Sequence, residues 1–242
     1  MRRIFSVMVF VAILSALSMS VFAQTESRDD VLKQIEAKRA ELAALEKKFL
    51  APSEEDRASF GEFLGQPDTG LIRLLPREVF DKESKLTIRG GGAYYSFDRL
   101  THAYGYGSDI ELQQGHLSVG FAGADYGMLV RVGDGPVDAI TLDQPSVRLL
   151  SAYSAATEES QARVEQRRFG MGTMIDGLPV KSSLPVEINT TYVLRSINYS
   201  KSDVLVAFKV IGKDPDGSVT LLWKLLKKYP KPELARTKQA AN

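Results

Sequence analysis

Cysteine is absent from all 242 residues. Its absence excludes disulfides, thiol nucleophiles, thiolate zinc sites and a lipidated N-terminal cysteine. Histidine is nearly absent: His102 and His116 are the only two, fourteen positions apart, so a three-histidine metal site is excluded as well. The chain has no Gly-x-Ser-x-Gly elbow, no Walker loop, no His-Glu-x-x-His helix and no Gly-x-Gly-x-x-Gly turn. Neither sign of charge dominates, with 31 basic against 30 acidic residues. A balanced surface carries no electrostatic footprint for nucleic acid or an anionic bilayer, and neither is expected as a partner. No cofactor and no metal are expected from this inventory. Asp214-Pro215-Asp216-Gly217 resembles a fragment of a calcium loop, but Val219 and Leu221 stand where later oxygen ligands belong. Its chemistry is that of a tight turn.

One long hydrophobic run is present, and it lies at the start. Met1-Arg2-Arg3 precedes an apolar stretch from Ile4 to Leu17, which closes on Val21-Phe22-Ala23. A positive start, an apolar middle and a small-residue exit are the parts of a secretory signal peptide, here residues 1–23 with cleavage before Gln24. The alternative is an uncleaved membrane anchor, although the run is near the lower limit of the ~20 residues a spanning helix needs. Removing residues 1–23 takes away Arg2 and Arg3 and no acid, leaving 29 basic and 30 acidic residues. A secreted or bacterial periplasmic protein is expected, with no membrane contact beyond the signal peptide. About 220 residues bury a sizeable core without disulfides. Asn189-Thr190-Thr191 and Asn198-Tyr199-Ser200 match the short glycosylation sequon, a pattern common by chance.

Residues 24–66 read as a helical N-terminal arm. Val31, Ile35, Leu42, Leu45 and Phe49 recur at spacings of three and four, with charged residues on the other faces, which marks an amphipathic helix over 29–50. The stripe fits coiled-coil heptads except at Lys38, so packing on the body or self-association through residues 29–50 is expected. Ala51-Pro52 breaks the helix. Ser53 followed by Glu54-Glu55-Asp56 caps a second short one, with Phe60, Phe63 and Leu64 on its apolar face.

From Leu71 onward the pattern becomes that of strands. β-compatible runs at 71–75, 85–89, 93–97, 109–112, 117–122 and 128–132 are separated by Gly and Asp clusters. Polar residues 157–168 predict an exposed helix. Residues 191–199, 204–211 and 219–226 predict a three-strand meander. One face of its last two strands carries Val204, Val206, Phe208, Val210, Val219, Leu221, Trp223 and Leu225, and the other Leu205, Ala207, Ile211, Leu222 and Leu226. Trp223 is expected to be buried opposite Val206 or Phe208. The fold class is therefore mainly β, antiparallel and sandwich-like, with an α-helical arm: α+β by content. The β-rich domain spans 67–232, and 233–242 reads as a flexible tail.

Between Arg89 and Gly135 lie eleven of the 19 glycines and five of the nine tyrosines. Glycines let a backbone turn sharply or approach a ligand, and tyrosines offer flat apolar faces with polar tips. Arg89, Tyr94, Tyr95, His102, Tyr104, Tyr106, Asp109 and Glu111 are the candidate ligand-binding residues, for a carbohydrate, peptide or protein. Asp109 and Glu111 sit at i and i+2, on one strand face. A non-enzymatic binding or assembly module is the expected function. The alternative is a hydrolase or lyase acting on an extracellular polymer such as polysaccharide, with His102, Asp109 and Glu111 as acid and base. Arg73, Arg77 and Glu78 around Pro76 read as a solvated turn.

Overall fold

The computed structural model describes residues 27–235. The expected signal peptide, residues 1–23, lies outside the described residues, as does the tail from 236 onward. Among the described residues no helix is long and apolar enough to cross a membrane.

Helix α1 (Arg28–Leu50) starts where Ser27 Oγ accepts the Asp30 backbone N–H at 3.1 Å. Asp29 and Asp30 in its first turn and Lys47 and Lys48 in its last suit the helix dipole. The apolar stripe runs along it as the spacing predicts, but Val31, Ile35, Leu42, Leu45 and Phe49 are 40% to 59% exposed. The chain divides into two compact units, Met1–Leu42 and Ala43–Asn242. This division falls inside α1. The physical reason lies in the second unit's packing. Leu50 is buried with Leu75 and Phe80, while Phe60, Phe63 and Leu64 from α2 (Glu54–Ser59) and α3 (Gly61–Leu64) pack against a larger cluster.

The second unit is built on a five-stranded antiparallel sheet ordered β1-β11-β10-β9-β5. Its members are β1 (Thr69–Leu74), β5 (Tyr126–Gly133), β9 (Thr191–Asn198), β10 (Ser202–Lys213) and β11 (Val219–Lys228). The β9-β10-β11 meander is the one the alternation predicts. Phe208 pairs with Trp223 and Val210 with Leu221. Asp214 to Gly217 forms the turn, with Gly217 at φ +89° and its N–H on the Asp214 carbonyl at 3.0 Å.

One face of this sheet is covered by a second sheet, ordered β2-β3-β4-β8. It comprises β2 (Tyr94–Tyr95), β3 (Ile110–Gln113), β4 (His116–Ser118) and β8 (Ser183–Pro185). Phe97, Ile110, Leu112 and Leu117 from this side meet Val206, Phe208, Leu221 and Trp223 in one buried cluster. The sandwich expected from the alternation is therefore present. The opposite face, with Leu205, Ala207 and Leu222, is covered by α5 (Pro145–Ala152) and α6 (Glu159–Met171). Helix α6 matches the polar run at 157–168, yet Ala162 and Phe169 are fully buried, so it is a packed helix with a narrow apolar stripe.

Two local expectations do not hold. Residues 85–89 form an irregular, bent segment beyond the turn that follows α4 (Arg77–Phe80), not a strand. Leu86 and Ile88 alternate because both pack on the Leu50–Leu75–Phe80 cluster. The run 117–122 ends early at Ser118, because Gly120 takes a φ of +72° against the backbone of Tyr126. At the end of the β-rich domain Pro232 is buried and accepts the Ser200 N–H at 2.9 Å, and beyond it the Ala235 N–H reaches Thr157 O at 2.7 Å. A hairpin of β6 (Thr173–Ile175) and β7 (Leu178–Val180) around Asp176-Gly177 was not visible in the alternation.

A buried ion pair locks α5 to the sheet. Arg195 and Asp203, 2% and 3% exposed, form two parallel hydrogen bonds of 2.9 Å. The same guanidinium donates to Leu150 O at 2.8 Å near the end of α5 and lies 3.7 Å from the centre of the Tyr229 ring. That position satisfies a carbonyl that a helix end leaves unpaired.

Candidate functional site

The glycine triplet shapes the region that the composition singles out. Gly90, Gly91 and Gly92 have φ values of +86°, +57° and +76°. A Cβ on Gly91 would fall 2.4 Å from the Asp81 backbone nitrogen, so only glycine lets the chain pass α4 here. Beyond this bend, β2 presents its two tyrosines to opposite faces, as a strand must. Tyr94 faces a small cleft, and Tyr95 faces the interior and a separate groove.

The cleft has a volume of about 270 Å³ and is lined by Arg77, Asp81, Arg89, Tyr94, Tyr104 and Phe121. Its wall is aromatic. The Tyr94 and Tyr104 ring centres are 4.5 Å apart, and Phe121 meets Tyr94 edge-on at 5.2 Å. A backbone bond from Tyr104 N to Arg89 O, 2.8 Å, ties the two loops that frame it. Two arginines enter the cleft in different electrostatic states. Arg77 donates to Glu111 Oε1 at 3.0 Å and pairs with Asp81 at 3.3 Å. The same Glu111 oxygen accepts the Tyr94 hydroxyl at 2.8 Å. Burial works against the Arg77 charge, but Tyr94, Glu111 and Asp81 outweigh it and hold the group more firmly protonated than usual. Burial and the bond to Glu111 push the Tyr94 hydroxyl upward, keeping it a neutral donor.

Arg89 differs. Its guanidinium stands 5.3 Å over the Tyr104 ring, the residue is exposed, and among the described residues no carboxylate pairs with it. Stacking fixes the plane of the fork while its N–H edges stay open.

Arg89, Tyr94, Tyr104 and Glu111 are thus gathered in one place, and the other candidates are elsewhere. Tyr106 projects at 66% exposure. Tyr95 and His102 stack edge-on at 4.9 Å on the far face of β2. His102 Nε2 lies 2.9 Å from Arg73 O, and burial lowers its pKa, only partly offset by that bond. A neutral ring donating from Nε2 fits both observations. Asp109 is fully buried. It accepts from Phe97 N and Asn198 Nδ2, each at 2.8 Å, with Ser96 and Ser202 hydroxyls at 3.5 Å. Burial outweighs these bonds and raises its pKa to about 7. His102, Asp109 and Glu111 therefore sit in three separate networks, and Asp109 and Glu111 do not act as a pair.

Arg77, Asp81 and Phe121 line the cleft but carried no signal in the sequence. Arg77 read as part of a solvated turn, yet it is clamped between α4 and β3. Arg73 beside it is also engaged, pairing with Asp214 at 2.7 Å and Asp216 at 3.3 Å with its side chain 15% exposed. Glu78 accepts the Gln114 N–H at 3.0 Å. Among the described residues no group of three or more histidines and acids is arranged to hold a metal ion. Comparison with protein-family models, with curated proteins and with solved structures gives no match to this chain.

Proposed function

We propose that this protein is an exported binding module whose β-rich body recognises a carboxylate-bearing sugar unit in the Arg77–Arg89–Tyr104 cleft. The observation that carries the reading is Arg89: an exposed guanidinium stacked on Tyr104, without an acidic partner among the described residues, beside an arginine already neutralised by Glu111. A planar fork with open N–H edges matches a carboxylate in bidentate fashion. The faces and edges of Tyr94, Tyr104 and Phe121 suit the C–H side of a sugar ring. The volume of about 270 Å³ accommodates one ring rather than a long segment. Glu111 serves to position Arg77 and Tyr94 in this reading, and no group is assigned to bond cleavage.

Titrating the mature protein with a short oligouronate, followed by NMR, tests this. Saturable shifts centred on the cleft are expected, with a neutral oligosaccharide of equal length binding at least tenfold more weakly. Arg89→Ala should abolish the difference between the two. Equal binding of both by the native protein would overturn the proposal, as would product release from the oligouronate.

The exposure of Val31, Ile35, Leu42 and Leu45 favours a second element of the function, assembly of two copies through α1. A 3–4 spaced stripe with charged flanks is the pattern of a two-helix seam, with Lys38 as its one polar break.

A further inference from the structure

Tyr95 and His102 open onto a second cavity, distinct from the cleft on the other face of β2. It is a groove of about 630 Å³ between the C-terminal part of α1 and the loop at 100–102. Its floor and walls include Leu50, Ile72, Ile88, Leu100 and the ring of Tyr95.

Three observations make this groove unusual. The first is charge. Lys47 and Arg57 line it, and neither has a carboxylate partner among the described residues. Glu46 lines it too, but its carboxylate is committed to the Thr87 backbone N–H and, at 2.9 Å, to the Thr87 hydroxyl. The second is backbone strain beside an exposed apolar group. Leu100 has a φ of +52° and is 63% exposed. A bulky side chain in the left-handed region is a conformational outlier, and such outliers gather at functional sites. The third is a polar atom without a protein partner. The Tyr95 residue is only 6% exposed and lines the groove, and its hydroxyl, which no other described residue bonds, is not sealed from solvent. An apolar trough with two open cations and one free hydroxyl is complementary to an amphipathic anion.

We infer that the groove binds a free single-chain carboxylate of the fatty-acid class, the head group meeting Lys47 and Arg57 and the acyl chain lying along Ile72, Ile88 and Leu100. Leu100 then keeps its strained conformation because the chain covers it. The Tyr95 hydroxyl gains an acceptor.

Dodecanoate, below its micelle concentration, is the probe, and Trp223 is the reporter, its ring 6.5 Å from Tyr95. Saturable one-to-one binding to the full mature chain is expected, at least tenfold tighter than dodecyltrimethylammonium, which has the same tail and the opposite charge. Lys47→Glu combined with Arg57→Glu should remove that preference. Leu100→Gly relieves the strain, so it should hold or raise the melting temperature while weakening dodecanoate binding several-fold. Arg89→Ala should leave dodecanoate binding unchanged, which separates this site from the cleft. Absence of saturable binding, equal affinity for the two amphiphiles, or binding to phosphatidylglycerol vesicles without binding of free dodecanoate would each overturn the inference.

Discussion

Replacing Asp109 with asparagine isolates one buried charge whose cost depends on pH. In the folded protein Asp109 is inaccessible to water and titrates at about 7, against ~3.9 in an unfolded chain. Its folded pKa is the higher of the two, so between these values the native state holds the proton and the unfolded state does not. Stability from this group is therefore full below the unfolded value and is lost as pH rises through about 7. From pH 5 to pH 8 the loss is roughly 2–3 kcal/mol. The protonated carboxyl has a home, because the Ser96 or Ser202 hydroxyl at 3.5 Å can turn to accept its O–H. Asparagine keeps the shape and removes the charge. Its oxygen accepts from Phe97 N, and the Asn198 amide flips to accept from the new NH₂. Urea unfolding of both proteins at pH 5, 6, 7 and 8 gives the difference directly, and the subtraction cancels other groups such as His102, whose lowered pKa acts in the opposite direction. The native protein should lose its stability relative to Asp109→Asn as pH rises. A difference constant across that range would refute the reasoning, since Asp109 would then be ionised throughout.

Truncating Trp223 to alanine should cost ~3–5 kcal/mol, because the indole packs on Phe97 at 5.3 Å and across Gly70; denaturant melts read the cost, and native emission should be blue-shifted and resistant to iodide. Asp203→Ala should destabilise by ~3–5 kcal/mol by stranding the Arg195 charge in the core, whereas Arg195→Met with Asp203→Leu should recover most of it; equal losses in both would mean that the bond to the α5 carbonyl dominates. Deleting residues 24–42 should convert the proposed two-copy assembly to a single copy in light scattering, and an unchanged number of copies per particle would show that α1 does not join them.

The meander was legible because its physics is local. Val204, Val206, Phe208 and Val210 alternate, and Asp214 to Gly217 closes the only geometry they allow. That Trp223 meets Phe208 follows from that turn. Residues 85–89 misled because Leu86 and Ile88 have strand spacing but earn it in a bent segment, through contact with Leu50, which is distant in sequence. Burial of α6 was hidden because two residues, Ala162 and Phe169, carry it within an otherwise polar helix. The candidate cleft was half legible for the same reason. Arg89, Tyr94 and Tyr104 share one glycine-rich stretch, and its composition marked them. Arg77 joins them only because β3 brings Glu111 to α4, thirty-four residues along the chain. The role of Asp109 likewise depends on Asn198, a partner eighty-nine residues away in the other sheet.

The most direct test of the binding-module account is a structure of residues 24–242 soaked with a uronic acid. The account predicts density in the cleft, with the carboxylate on the Arg89 fork and the ring against Tyr104 or Phe121. It also predicts that Arg89→Ala crystals soaked in the same way show none. Ligand found away from Arg89, or retained in the cleft when Arg89 is replaced, would contradict it.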